Sequence, residues 1–219
     1  MTLEYYFERV GQLSVGAFRR DFENFFGSTV IDATPEFLAL YGLEPAVYDP
    51  YDVVTNHNLS TRVRMEGYNV NYRQALTFLP HWARGVQFYA NGSAQRATGD
   101  GAAEFAGYFP KSGSWGISLS RPKYNVRLNW NYLSRQRRGV VNGRSLEAGT
   151  YNWGSKRSYI DVSGEYSITR RLALFANLRN INKPVDDVEI SGPNTPAHAQ
   201  LRQRADFGSL WTFGVKGSF

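Results

Sequence analysis

The chain has 219 residues and a net charge of +6, from 25 Lys and Arg against 19 Asp and Glu. It contains 14 Tyr, 14 Phe and 5 Trp but no Cys, which excludes a disulfide scaffold, thiol chemistry and Cys-based zinc sites. The mean hydropathy is −0.43, and the sequence has no run of about 20 apolar residues that would form a membrane-spanning helix. Abundant aromatics at low hydropathy are typical of membrane β-barrels, in which every second strand residue faces a wet lumen.

The predicted elements are strands in which apolar and polar side chains alternate, so that each strand has one apolar and one polar face. We predict nine strands, at residues 3–7, 12–22, 59–76, 85–95, 115–120, 124–134, 159–168, 172–181 and 207–219. Within 59–76 the alternation slips near Glu66 and Gly67, which predicts either a β-bulge or the point where the strand leaves the membrane.

The connections between these strands alternate in length. Short turns are predicted at residues 8–11, 78–84, 121–123 and 169–171, and long loops at 25–58, 98–113, 136–155 and 182–204. Short turns at one end and long loops at the other are typical of outer-membrane barrels. The predicted fold class is therefore all-β: a segment of an antiparallel transmembrane barrel with short periplasmic turns and long extracellular loops.

The first long loop contains a predicted short helix. Thr34 is its expected N-cap, Pro35 its first helical residue and Gly42 its C-terminal stop. We interpret the loop as an ordered cover on the loop side of the barrel.

The final strand shows the alternation most clearly. Phe207, Trp211, Phe213, Val215 and Phe219 share one parity, and small or polar residues occupy most of the other. A soluble protein rarely ends on an exposed Phe, because chain termini fray and face water. A barrel strand that meets lipid on one side and the lumen on the other has this pattern.

Several segments resemble the C-terminal portion of a TonB-dependent outer-membrane receptor. They are EYYF at residues 4–7, GQLSVGAF at 11–18, EGYNVNY at 66–72, NLRNINKP at 177–184 and GVKGSF at 214–219. The resemblance covers essentially the whole chain and implies the wall of a barrel of twenty-two strands, located in the bacterial outer membrane. In that family a plug fills the lumen, and an inner-membrane protein, TonB, pulls on the plug to import a bound nutrient.

The chain departs from the family pattern, because it has too few strands and no recognisable plug or energy-coupling segment. Residues 1–7 also have no basic region, apolar core or cleavage site, so no signal peptide is predicted. We therefore expect residues 1–219 to be a C-terminal barrel fragment. It would contact TonB only through the absent plug.

Candidate site residues follow from the two faces. The expected lumen-facing residues, which would contact a plug or line a substrate path, are Asn125, Arg127, Asn129, Asn131, Asp161 and Glu165. By resemblance, the signal read by the barrel-assembly machinery consists of Trp211, Phe213, Val215 and Phe219. The other expected partners are the lipid bilayer and the missing N-terminal strands and plug.

Enzymatic activity is not predicted. Asp161 and Glu165 lie four residues apart on one strand, roughly 13 Å, which is too far for a glycosidase pair at about 5–9.5 Å. The three His residues are isolated in sequence, so neither a metal ion nor a cofactor is expected. Basic residues are scattered rather than gathered in one stripe, which argues against nucleic-acid binding.

Two alternatives to a nutrient transporter (for a siderophore, cobalamin or glycan) remain open from the sequence. One is a passive, porin-like outer-membrane barrel, which a plug domain upstream would exclude. The other is a soluble carbohydrate-binding β-protein, in which the aromatic face would be a packed core.

Overall fold

A computed structural model of the chain describes residues 1–7, 10–48, 50–103, 105–141 and 146–217. The strands in these ranges are β1 (Thr2–Phe7), β2 (Gly11–Phe22), β3 (Phe25–Asp32), β4 (Asp52–Leu59), β5 (Val63–Ala75), β6 (Val86–Thr98), β7 (Lys111–Ser120), β8 (Tyr124–Leu133), β9 (Gln136–Val140), β10 (Tyr151–Gly154), β11 (Arg157–Ser167), β12 (Leu172–Arg179), β13 (Asp186–Ser191), β14 (Leu201–Ala205) and β15 (Leu210–Gly217). The two α-helices of the same ranges are α1 (Pro35–Leu40) and α2 (Pro45–Tyr48).

The nine predicted strands form one antiparallel sheet in the order β1-β2-β5-β6-β7-β8-β11-β12-β15. Each of these strands pairs with the next predicted strand along the chain, so the prediction of nine antiparallel strands in one sheet is confirmed. β1 and β15 are the two edges of this sheet and do not pair with each other among the described residues. The sheet is therefore open.

Some strand ends differ from the predicted ones. β5 begins at Val63 instead of residue 59, because Leu59 is the last residue of β4. β15 begins at Leu210 instead of residue 207, because Gly208 has a φ of 61°. The Asp206 carboxylate accepts a hydrogen bond of 2.8 Å from the Gly208 N–H, which fixes a turn before the strand.

The slip in alternation near Glu66 is not a bulge. β5 pairs with both β2 and β6 through Glu66 and Gly67 without a shift in register. What changes is the chemistry of the apolar face, where Glu66 binds Arg96 at 2.5 Å and Asp21 binds Arg64 at 3.0 Å. The other expectation, that the strand leaves the membrane near this point, stays a prediction.

Apart from the predicted helix in the first loop, the long connections contain regular structure that the sequence did not reveal. β3 and β4 form a hairpin within residues 25–58, and α1 and α2 lie between them. β9, β10, β13 and β14 form a second, four-stranded sheet in the order β14-β13-β10-β9, which we call the loop sheet.

The predicted helix in the first loop is confirmed as α1. The Thr34 side chain accepts a hydrogen bond of 3.2 Å from the Phe37 N–H, and Pro35 is the first helical residue. Gly42 follows with a φ of 66°, the left-handed conformation that commonly ends a helix.

Very little apolar surface is buried. Among the described residues the buried hydrophobic side chains are Ala33, Leu38, Val63, Met65, Ala83 and Val86. The accessible surface is 15074 Å², whereas a compact monomer of this mass exposes about 10,200 Å². No second layer covers the described apolar face of the main sheet, so the arrangement is not a β-sandwich with an aromatic core.

Candidate functional site: the polar face and the loop sheet

The polar face of the main sheet is built from residues that lie opposite one another on neighbouring strands. Residues directly opposite in an antiparallel pair have side chains on the same face, and Asn129 lies opposite Gly116 on β7 and Asp161 on β11. Asn131 likewise lies opposite Ser114, and Arg127 opposite Ser118. The register therefore places Asn125, Arg127, Asn129, Asn131, Asp161 and Glu165 on one face.

Hydrogen bonds tie this face together across strands. The Tyr89 hydroxyl donates to Asn129 Oδ1 at 2.7 Å, which links β6 to β8 over the intervening β7. The Ser114 hydroxyl donates to Asn91 Oδ1 at 3.0 Å. Tyr89 spans the gap because Gly116 beneath it has no side chain.

Both carboxylates of the predicted set are already paired. Asp161 Oδ1 accepts a hydrogen bond of 2.8 Å from the Asn180 backbone N–H, and Glu165 forms an ion pair with Lys216. These contacts link each carboxylate to a neighbouring part of the protein. Among the described residues no three His, Asp or Glu side chains are placed to hold a metal ion.

A shallow depression of about 640 Å³ lies on the polar face near the β1 edge. Of the six predicted residues on this face, Arg127 lines it. Its other polar side chains include Gln12, Asn71, Arg73, Gln87 and Tyr89. Amide, hydroxyl and guanidinium groups suit this surface to contact with water or a polar protein domain.

The predicted assembly-signal residues lie on the opposite, apolar face. Trp211, Phe213 and Val215 pair with Leu178, Ala176 and Leu174 on β12. All three are more than 60% exposed. Phe219 lies outside the described residues.

The loop sheet carries arginine–aromatic pairs that sequence reasoning missed. The Arg135 guanidinium lies 4.3 Å from the centre of the Trp153 ring and also binds Glu189 at 2.7 Å. The Arg137 guanidinium lies 4.9 Å from the Tyr151 ring. Tyr151 and Trp153 alternate with polar residues, but only over the four residues of β10, too short a run to distinguish from a loop.

A cavity of about 310 Å³ opens beside these pairs and is lined by Tyr108, Arg137 and Trp153. One Arg137 amino group donates to the Ala102 carbonyl, while Arg137 Nε is buried without a hydrogen-bond partner among the described residues. A cationic side chain and two aromatic rings along the wall of the cavity would suit an anionic or ring-bearing ligand.

The loop sheet is braced by a bidentate ion pair. Arg204 donates from Nε and Nη2 to the two carboxylate oxygens of Asp187, both at 2.8 Å. These hydrogen bonds hold the pKa of Asp187 below its usual value and raise the pKa of Arg204. The pair joins β13 to β14 at a directly opposed position.

Solved structures share this fold. The copper transporter OprC matches with a TM-score of 0.61 at 14% identity, over 100% of this chain and 30% of that one. FpvA of P. aeruginosa, solved with heterologous pyoverdines, matches with a TM-score of 0.60 at 16% identity, over 100% of this chain and 27% of that one. The ferric-catecholate import receptor Fiu from K12 E. coli matches with a TM-score of 0.57 at 13% identity, over 95% and 25%.

The chain therefore has the fold of a TonB-dependent receptor barrel, over a stretch that spans 25% to 30% of the length of these structures. Their names are those of transporters and receptors, not enzymes. No family model and no curated protein matches the sequence. No described helix is long and apolar enough to span a membrane.

Proposed function

We propose that this chain is the C-terminal part of a TonB-dependent transporter of the bacterial outer membrane, in which it supplies barrel wall and outer loops. The observation that carries the proposal is the uncovered apolar face of the nine-stranded sheet, opposite a polar face. Lipid cannot hydrogen-bond to peptide groups, so a membrane sheet must close on itself. Further strands from the rest of the barrel would pair with the free edges of β1 and β15.

The two faces support a proposal for the partners. The apolar face contacts the bilayer, and the polar face with Asn129 and Asp161 contacts the plug and the water beside it. TonB acts on the plug, not on this chain. The exposed Trp211, Phe213 and Val215 on β15 present the assembly signal to the barrel-assembly machinery.

The loop sheet supplies the ligand-facing chemistry. Arg135 is already paired with Glu189. Arg137, whose guanidinium lies beside the Tyr151 ring and forms no ion pair with a described carboxylate, suits an anionic ligand with planar groups. Ferric-siderophore chelates have such groups, and the matched structures include a ferric-catecholate import receptor and FpvA bound to pyoverdine–iron. Uptake assays with a siderophore, cobalamin and a glycan decide among the three classes of ligand.

The orientation and the membrane location are tested by cysteine labelling, because the chain contains no Cys of its own. In the complete protein, Ala148→Cys places a thiol in an exposed loop and Pro122→Cys places one in an exposed short turn. A membrane-impermeant maleimide should label the loop thiol in intact cells and the turn thiol only after the outer membrane is permeabilised. Equal labelling of both thiols in intact cells would contradict the proposed topology.

Energy dependence separates this proposal from a passive porin. Uptake of the ligand should stop when TonB is deleted or the proton gradient is collapsed. Uptake that continues under both conditions would favour the porin-like alternative. Recovery of the protein in the soluble fraction would instead favour the carbohydrate-binding alternative.

A further inference from the structure

Three of the four short turns of the main sheet are basic, and the fourth, at residues 8–11, contains both Glu8 and Arg9. The turns at residues 76–85, 121–123 and 168–171 contain no Asp or Glu. They carry Arg84, Arg121, Lys123, Arg170 and Arg171. None of the five forms an ion pair with a described carboxylate, whereas the loop end pairs its arginines repeatedly.

Two of these turns are held side by side. The Ser167 backbone N–H donates to the Lys123 carbonyl at 2.7 Å, which joins the turn before β8 to the turn after β11. Lys123, Arg170 and Arg171 are all exposed. Three unneutralised charges thus lie at the ends of adjacent strands.

An apolar groove begins at these same strand ends. It has a volume of about 700 Å³, and its side-chain walls include Tyr124, Val126, Tyr166, Leu174, Phe213 and Val215. The groove exists because Gly164 and Ala176 pair with each other between the larger Val126 and Phe213. Two small residues in a row of large ones leave a depression in the apolar face.

We propose that this groove and the basic turns form a binding site for an anionic phospholipid. An acyl chain lies in the groove, and the headgroup phosphate lies beside Lys123, Arg170 and Arg171. This inference rests on the proposed membrane location of the apolar face and adds a specific lipid to it. Charge complementarity favours the lipid over a second copy of the chain, because a two-fold contact would bring identical basic turns together.

The test is native mass spectrometry of the complete protein with phosphatidylglycerol and with phosphatidylcholine of the same acyl chains. The wild type should bind phosphatidylglycerol more tightly. Arg170→Gln with Arg171→Gln should reduce that preference roughly fivefold per charge removed. The matched control, Lys183→Gln with Arg202→Gln, removes two charges from the loop end and should leave the preference unchanged.

The groove is tested with a second matched pair of variants. A Cβ added at Gly164 would come no closer than 3.9 Å to its nearest neighbour, and one at Gly92, elsewhere on the apolar face, no closer than 3.8 Å. Gly164→Val should therefore fill the groove without disturbing the backbone and displace the bound lipid. Gly92→Val should not.

Each outcome decides the matter. Equal binding of the two lipids, equal effects of the turn and loop variants, or unchanged binding by Gly164→Val would overturn the site. A lipid-free dimer lost on Gly164→Val would assign the groove to a second copy instead. Insertion into pure phosphatidylcholine bilayers is measured separately: failure to insert counts against the proposed function, while insertion without lipid preference counts only against this site.

Discussion

At the scale of single residues, aromatic rings on the polar face lie over glycines of the neighbouring strand. A Cβ at Gly116 would lie 2.4 Å from the Tyr89 ring, and a Cβ at Gly214 would lie 2.6 Å from the Phe175 ring. Glycine weakens a strand because it has no side chain to pack against its neighbours. At Gly116 and Gly214 the aromatic ring of the neighbouring strand fills that space. Tyr89 and Phe175 interrupt the polar parity in the sequence, and the structure gives this physical reason for both.

Gly116→Ala tests this arrangement. The new methyl group displaces the Tyr89 ring and breaks its hydrogen bond to Asn129, so the free energy of unfolding should fall by about 0.5–1.5 kcal/mol. Gly164→Ala is the control, because its Cβ has open space, and it should be neutral or slightly stabilising. Chemical unfolding of the complete protein in bilayers measures both, and an unchanged Gly116→Ala would argue against the ring contact.

Two residues of β8 test which face meets lipid. Leu128 lies near the middle of the strand on the apolar face, and Asn125 lies on the polar face. Leu128→Arg should lower the free energy of unfolding in bilayers by about 2–4 kcal/mol. Asn125→Arg should cost little, and equal costs would contradict the assignment of faces.

At the scale of elements, the main strands were predictable and the loop strands were not. β8 and β11 alternate over ten residues or more because their two faces meet different surroundings. β9, β10 and β14 have four or five residues and alternate too briefly to be recognised. Their pairing depends on partners as distant as Trp153 and Glu189, which no local pattern encodes.

The candidate site likewise has a part that was predictable from the sequence and a part that was not. The polar-face residues follow from parity alone, whereas the stacking of Arg135 on Trp153 depends on the loop sheet and was missed.

The ion pair between β13 and β14 predicts a pH dependence for the loop sheet. Because folding lowers the pKa of Asp187, its contribution to stability is present above the ordinary carboxyl value of about 3.9 and is lost as the pH falls through the lower, folded value. Asp187→Asn should remove that contribution at pH 7 and flatten this part of the profile. Unfolding measured from pH 7 to pH 2 tests this, with the exposed Glu44→Gln as a control.

The N-cap of α1 offers a second test at this scale. Thr34→Ala removes the acceptor for the Phe37 N–H and should destabilise the helix by about 0.5–2 kcal/mol. Hydrogen exchange in residues 35–40 should speed up accordingly, whereas Thr34→Ser should retain the cap. Unchanged exchange in Thr34→Ala would show that tertiary contacts alone hold the helix.

At the scale of the whole molecule, the free edges of β1 and β15 decide whether the chain folds alone. Unpaired N–H and C=O groups along both edges are costly in lipid and promote association in water. The isolated 219-residue chain should therefore give mixed oligomers in detergent. A monodisperse species that shifts in gel mobility on heating would show that the nine strands close unaided.

Each strand of the nine-stranded sheet hydrogen-bonds to the next strand of that sheet along the chain. The sheet is therefore a series of consecutive hairpins. Deleting β7 together with β8 would bring β6 beside β11 in the antiparallel sense that both already have, whereas deleting one strand would force a parallel pair. A wall of this design can widen or narrow during evolution in steps of two strands, which keeps the turns and the loops on their own sides.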